Sequence, residues 1–347
     1  MRPATTVITA WETHSPLGCG AEEHTRSARA GVTGHDAGPR VVPGFDVRQV
    51  LGAKGTRSMR RATGLAVATT GRLLSRVGLD PDRRTAYTDE EIGLVLATSD
   101  NVQAVVDFNR DSWTRARPYD VDPAQAPNLL MNVHAGQCAI RHRLRGPNST
   151  VCGSHLGSLL ALNYARRLQQ GGHAPAVLCG AVEECSESRS AWAAARTAGS
   201  PAPLGEGCVV FLLERSDRVA DSRQPLAGVL ALEFGFAPHD GAVTTVLADC
   251  LRRALDRADV SPGRVGWVAP SAAVDGRGED ERLAVKEVFG QVPLVSGAHD
   301  ALGDTESVSA AFRIVDLLTD PDVVDGVAAV TATDAEGRVG CALLRIR

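Results

Sequence analysis

The chain has 347 residues, 44% of them apolar and 22% charged, with a formal net charge of −4. That length exceeds what one ordinary core supports, and the charge balance has neither the basic stripe of a nucleic-acid binder nor the charge block of a disordered tail. Met1-Arg2-Pro3-Ala4 leads straight into a strand-like run with no h-region, and no apolar stretch reaches transmembrane length, so neither a signal peptide nor a membrane span is expected. The eight cysteines form no CxxC pair. Cys179, Cys208, Cys250 and Cys341 sit inside apolar runs, which predicts buried free thiols, no zinc site and a reducing cytoplasm. Lys54 and Lys286 are the only lysines, which leaves few candidates for a catalytic amine.

In chain order the elements alternate, as in α/β proteins. A strand is predicted over 5–11, a helix over 57–78, a buried strand over 91–99 and a helix over 127–144. Strand 148–152, helix 156–170, strand 175–181 and strand 207–214 follow, with 183–205 read as irregular. The polar, proline-ended stretch 216–225 reads as a linker. A similar order then starts again: strand 227–235, helix 242–258, strand 264–269, helix 279–289, strand 293–296, helix 302–318 and strands 326–333 and 339–346. Two units are therefore expected, 1–215 and 226–347, each a mixed βαβαβαββ half. The unbroken apolar runs predict parallel strands buried on both faces.

The stretch 146–162, GPNSTVCGSHLGSLLAL, concentrates the chemistry. A β-type run reaches a tight turn at Gly153 and a helical pattern follows at once, which is the layout of a nucleophile elbow. The residue at its apex is His155. A three-residue shift of register would put Cys152 there instead, but the small residues Gly153, Ser154 and Gly157 around the turn favour His155, with Cys152 a buried structural thiol. His134 and His142 lie two helical turns apart, weak support for a metal without a carboxylate or cysteine pattern. His14 and His239 have no recognisable partners. Asp275, Glu279, Asp280 and Glu281 cluster at a helix start, where negative charge complements the dipole.

With these segments in hand, the chain resembles the β-ketoacyl synthase branch of the thiolase-like fold over nearly its whole length. VITAWETHSPLG (7–18) is similar to that family's opening strand and turn, with Ala10 and Glu12 where two glycines are usual. NLLMNVHAGQCAIRHRLRGPNST (128–150) resembles the dimer-interface helix and the run into the elbow. LGEGCVVFLLE (204–214) resembles its Gly-Glu-Gly strand, and 265–290 and 296–312 resemble the segments carrying its two catalytic histidines. The implied fold is five layers, αβαβα, from two pseudo-duplicated βαβαβαββ halves. The family's chemistry uses one cysteine and two histidines. By the resemblance those positions are His155, Ser271 and Asp300. His299 is one residue from restoring the second histidine, and the family's lysine falls on Val295 or Leu294. The glycine-rich stretch before the last strand reads DAEGRVGCALL (334–344).

Physically, a helix N-terminus favours a thiolate and disfavours an imidazolium, so a mostly neutral His155 is expected, without a partner. Asp300 would bring negative charge to the place where an oxyanion develops. Condensation in this chain's own pocket is therefore not expected, and His155 reads first as filling of an inherited turn. The resemblance implies a chain-length-factor-like subunit: a heterodimer with an active ketosynthase, an acyl carrier protein as second partner, no cofactor and no metal. Helix 127–144 and strand 148–152 would form the interface, and Val105, Phe108, Met131 and His134 would close the floor of the acyl tunnel. A histidine where aromatic-polyketide factors carry glutamine, and shortened segments around 36–56 and 235–242, point to a reducing system. The alternatives are a divergent acyltransferase using Cys152 or His155, and a non-catalytic homodimer that scaffolds carrier proteins.

Overall fold

Runs that are apolar at every residue can only lie at the centre of a sheet covered on both faces. In the computed structural model this is where they are. Its described residues are 5–32, 38–99, 101–196, 202–271 and 276–347. Ile92–Ala97 (β3) and Ala176–Glu183 (β5) pair in parallel, buried at every position. Before them come β1 (Thr6–Ser15), the two-residue β2 (Gly18–Cys19), α1 (Ala21–Arg29), α2 (Val47–Leu51) and α3 (Arg61–Arg76). Between and after β3 and β5 lie α4 (Val102–Thr114), α5 (Val133–His142), β4 (Asn148–Val151), α6 (Gly157–Gln170), α7 (Glu187–Arg196) and β6 (Gly207–Arg215). The rest is β7 (Ala227–Phe236), α8 (Val243–Ala258), β8 (Val265–Ala269), α9 (Gly276–Phe289), α10 (His299–Leu302), α11 (Ser309–Thr319), β9 (Gly326–Thr333) and β10 (Arg338–Ile346).

The strands follow the order β4-β3-β5-β6-β1-β7-β10-β9-β8, with β2 beside β1. The β1–β7 junction is only two residue pairs long, Val7 with Gly228 and Ile8 with Ala227. Three apolar clusters separate the layers. One joins α3 and α5 to β3, β5 and β6 (Leu65, Leu73, Leu94, Val210). A second fills the middle, where α6 and α11 are sandwiched (Leu159, Leu162, Phe312, Val315). A third packs α8 and α9 on β10 and β8 (Leu247, Leu251, Val285, Leu343). This is the αβαβα arrangement expected from the resemblance.

Helix α6 decides the register of the elbow. Its apolar residues face both ways, since Leu159, Ala161, Leu162 and Ala165 are all fully buried. Its start is held tight: a Cβ on Gly157 would meet Ser307 Cβ at 2.8 Å and Ala97 Cβ at 3.2 Å. It stops at Gly171-Gly172, where Gly172 takes a φ of 73° that L side chains rarely adopt.

Several expectations need correction. Residues 183–205 are not irregular throughout, because α7 separates β5 from β6. The predicted strand 293–296 is a single bridge, Leu294 to Val268. The predicted helix 302–318 is broken into α10, a 3-10 turn and α11, because Gly303 at φ 70° interrupts it. The helix 127–144 begins only at Val133, after a 3-10 stretch that contains Pro127.

Because Leu159 lies between two sheets with no route to collapse, Leu159→Ala is expected to cost about 2–5 kcal/mol. The shift of the urea midpoint at constant slope measures it.

Candidate active site: an elbow seated with histidine

Strand β4 ends at Val151, and the chain turns through Gly153 and Ser154 into a 3-10 turn, Ser154–Leu156, that runs directly into α6. Ser154 has a φ of 44°. His155 therefore projects from the turn itself, with its side chain 24% exposed. It does have a partner, contrary to the sequence reading. His155 Nε2 lies 2.9 Å from Asp304 Oδ1, and its Nδ1 lies 3.3 Å from Ser154 Oγ. Burial opposes the imidazolium, but the charge and hydrogen bond of Asp304, with Glu306 adding, outweigh it and raise the His155 pKa. The expected neutral, unpartnered imidazole is thus corrected: one carboxylate at hydrogen-bond range beats a partial helix charge. Asp304 is held well below the usual carboxylate range, for although burial raises it, His155 and then Arg189 pull it down.

Behind this pair stands Arg189 of α7, a side chain only 3% exposed. Its Nη1 donates to the carbonyls of Glu184 and Gly205, its Nη2 to the Asp304 carbonyl, and its Nε to Glu306 Oε2 at 3.3 Å. The Glu306 amide returns a hydrogen bond to Asp304 Oδ1 at 2.9 Å, and Ser154 Oγ donates to Glu306 Oε1 at 3.3 Å. The elbow, α7 and the 303–308 segment are therefore tied into one charged network.

The other two positions that the resemblance assigns, Ser271 and Asp300, lie differently. Ser271 follows β8, and its amide and hydroxyl donate to Glu281 Oε1 and Oε2 at 2.9 and 2.6 Å. Glu281 is 1% exposed, and burial raises its pKa against the hydrogen bonds of Ser271 and Thr331. It is thus a buried tie, not one of a set of surface charges at a helix start, while Asp275 lies outside the described residues. Asp300 is exposed on α10. The carboxylate that meets the elbow is that of Asp304, four residues on. His299 lies beside Arg313, and burial with that cation drops its pKa to about 2. Of the two candidates for the lysine position, Val295 is buried and Leu294 is 45% exposed.

Cys152 is exposed, not a buried thiol, and its Sγ lies 3.7 Å from Met131 Sδ. His134 is 3% exposed, hydrogen-bonded at 2.9 Å to Thr63 Oγ1 and at 2.9 Å to Asn101 Oδ1. His142 instead contacts the Val67 carbonyl, so the two imidazoles of α5 face α3 with separate partners. His14 is buried and bonded to Thr69, and His239 is exposed. A cavity of about 10 Å³, room for one water, is lined by Thr63, Asn101, His134, Glu183 and Arg189. On α4 only Ala104 is buried, Val105 is 40% exposed and Phe108 partly covered. The neighbouring surface is apolar: Trp113, Tyr119, Leu130 and Ile140 are 82%, 73%, 60% and 74% exposed. This face adjoins β4, the edge strand of its sheet. An exposed apolar patch beside an unpaired strand edge marks an interaction surface.

Residues 19–218 match the family model of the β-ketoacyl synthase N-terminal domain. The chain belongs to the β-ketoacyl synthase family. Among its relatives, the tetracenomycin polyketide synthase ketoacyl synthase beta subunit of Streptomyces glaucescens is 28% identical over 83% of this chain and 78% of its own. Among solved structures, the ishigamide ketosynthase/chain length factor is 40% identical over 99% of both chains, with a TM-score of 0.88. A type II polyketide synthase acyl-carrier protein in complex with its ketosynthase, bound to the hexaketide, matches at TM-score 0.81 and 16% identity over 100% of both chains, a likeness of fold. No helix among the described residues is long and apolar enough to cross a membrane. Within this family, Asp304, Arg189 and Glu306 are what the sequence reading missed. For Asp304 and Glu306 the one signal was local: acidic residues one and three positions after Gly303, at a turn.

Asp304→Asn should lower the His155 pKa, read by NMR titration of its ring protons. His155 is the raised-pKa case, so its pair stabilises the fold fully below the ordinary value of 6.5 and loses that contribution as pH rises through the raised value. The stability gap between wild type and Asp304→Asn should shrink across that window. His14, His24 and His134 act oppositely. Burial lowers each from 6.5 to about 4, so stability is full above 6.5 and should fall as pH drops from there toward 4. Urea midpoints at pH 7.5, 5.5 and 4.5 in the wild type and in a His24→Gln variant test this.

Proposed function

We propose that this chain is the chain-length-factor-like subunit of a type II polyketide ketosynthase. It heterodimerises with an active β-ketoacyl synthase, and an acyl carrier protein delivers the growing chain to the pair. The observation that carries this reading is the elbow. The residue seated where the family's cysteine stands is an imidazole already engaged by Asp304 at 2.9 Å. It cannot form the stable thioester that condensation requires. The position of the first histidine is Ser271, bonded to buried Glu281, and that of the second is the exposed Asp300. Condensation therefore falls to the partner.

The exposed apolar face around α4 and α5 and the bare edge of β4 supply a surface of the kind a partner covers. Likeness to the ketosynthase/chain length factor across 99% of the chain supports the same assignment. The tunnel floor is assigned to α4 and the start of α5, with Val105, Phe108 and Met131 reaching toward the partner. His134, held by two hydrogen bonds, supports that floor from behind. We place the pair in a reducing system, on the histidine at the elbow and the shortened 36–56 and 235–242 segments.

Co-expression with a ketosynthase carrying an intact Cys-His-His set should give a stable heterodimer that makes product, while this chain alone makes no condensation product. Within the heterodimer, Phe108→Ala should lengthen the product and Phe108→Trp shorten it, because overfilling a packed tunnel costs about 1–3 kcal/mol. Mass spectrometry of the released chains reads both. Unchanged lengths in a folded Phe108 and Met131 series would reject that floor. Thioester formation on Cys152 by this chain alone, lost in Cys152→Ala, would replace the reading with that of an acyltransferase. A homodimer that never takes up the ketosynthase would replace it with that of a scaffold.

A further inference from the structure

Four non-glycine residues among those described have positive φ: Arg143, Ser154, Asp259 and Glu306. Arg143 and Asp259 are helix C-caps, where the left-handed conformation is ordinary. The other two face each other across the elbow, Ser154 Oγ 3.3 Å from Glu306 Oε1. Strain of this kind gathers at functional sites, because only a constraint beyond packing maintains it.

The groups around it have roles that fit together. Ser154 stands on the strained turn between strand and helix, the place where an elbow presents a nucleophilic hydroxyl. Its Oγ is 3.3 Å from His155 Nδ1, and His155 Nε2 is 2.9 Å from Asp304 Oδ1. With the ring proton on Nε2, the ring donates to Asp304 and leaves Nδ1 as an acceptor; the serine hydroxyl, which donates to Glu306 Oε1 at 3.3 Å, reaches Nδ1 at the same distance by turning about its Cβ–Oγ torsion. Asp304 is itself held by the Glu306 amide at 2.9 Å, and its backbone carbonyl by Arg189. His155 and Asp304 are 24% and 32% exposed, so the arrangement is open to a ligand. Ser154 also lies just before α6, at the end where the helix dipole favours the negative charge of an oxyanion.

We infer that Ser154, His155 and Asp304 form a serine acyl-transfer triad that cleaves acyl thioesters, an activity separate from condensation. The choice of a thioester rests on the reading of the preceding subsection; the triad itself does not. Ser154 Oγ adds to the thioester carbonyl as His155 Nδ1 takes the hydroxyl proton. The carbon–sulfur bond breaks, and the thiol leaves with that proton. Water then attacks the Ser154 ester, passing a proton to His155, and the carboxylic acid departs as the proton returns to Ser154. Water and thioester become acid and thiol, with nothing oxidised or reduced. Such a site would clear stalled chains from the carrier.

His155 must be neutral to act, so the rate should rise with pH through its raised pKa. The charged groups that set that value against burial are Asp304 and Glu306 on the 303–308 segment and Arg277 on α9; behind them Arg189 on α7 interacts with Asp304, Glu306 and Glu183 of β5.

The test uses the purified chain and its ketosynthase heterodimer. A fluorophosphonate probe, followed by peptide mass mapping, should label Ser154 of this chain. An acyl N-acetylcysteamine thioester should be hydrolysed, and Ser154→Ala and Ser154→Gly (which keeps the positive φ) should each lower that rate by at least about 100-fold. His155→Gln should do the same, whereas Cys152→Ala should leave the rate unchanged. Asp304→Asn should lower the maximal rate and move the alkaline-rising limb to lower pH. An unlabelled Ser154 in folded protein, or a Ser154→Gly variant as active as wild type, overturns the triad. Labelling needs no partner, and heterodimer formation needs no triad, so failure of one proposal is distinguishable from failure of the other.

Discussion

The contact on which the site depends is the 2.9 Å approach of Asp304 to His155. A histidine at a helix N-terminus is electrostatically out of place unless something offsets the dipole. Asp304 does so, and Arg189 then offsets the carboxylates of Asp304 and Glu306 from behind. Each charge needs the next, which is why the network spans the elbow, α7 and the turn before α11. Arg189, 3% exposed, is the member whose charge most needs its counterparts, since an unpaired buried charge is costly.

That network also explains how the family frame tolerates its changes. The thiolase-like layers are held by three apolar clusters, none of which includes His155, Asp304 or Arg189. The residues of the pocket can therefore be exchanged without disturbing the sheets. What the pocket must keep is the geometry of the turn, fixed by the tight approach of Gly157 to Ser307 and Ala97.

The α4 side is built differently. Helix α4 buries only Ala104, and Arg60 anchors it through Asp107 at 2.8 Å. Polar anchoring on the inner side leaves Val105, Val106 and Trp113 outward. A surface of this kind is unfavourable in water and gains from being covered. The α4 surface and the elbow meet through α7, where the Ser188 amide donates to Gln103 Oε1 of α4 at 3.0 Å beside Arg189.

The sequence by itself determined the fold class, the central parallel strands and the position of the elbow. Those follow from local patterns: unbroken apolar runs such as IGLVLA at 92–97, the Gly153 turn, and the helical stripe of 157–170. It also determined that no cysteine is seated at the apex. Only the tertiary structure decided what surrounds His155. Asp304 is 149 residues away in sequence and Arg189 reaches it from another element, so no local period could reveal the pairing. The same limit hid Asp304, since Gly303 breaks the helix and turns the chain so that Asp304, just after it, meets the elbow, while Asp300, three residues before it, is exposed. It hid Glu281 as well, which reads as a helix-start charge in sequence but is buried against Ser271. Charge state follows from neighbours in space, and neighbours in space are what the folded chain alone supplies.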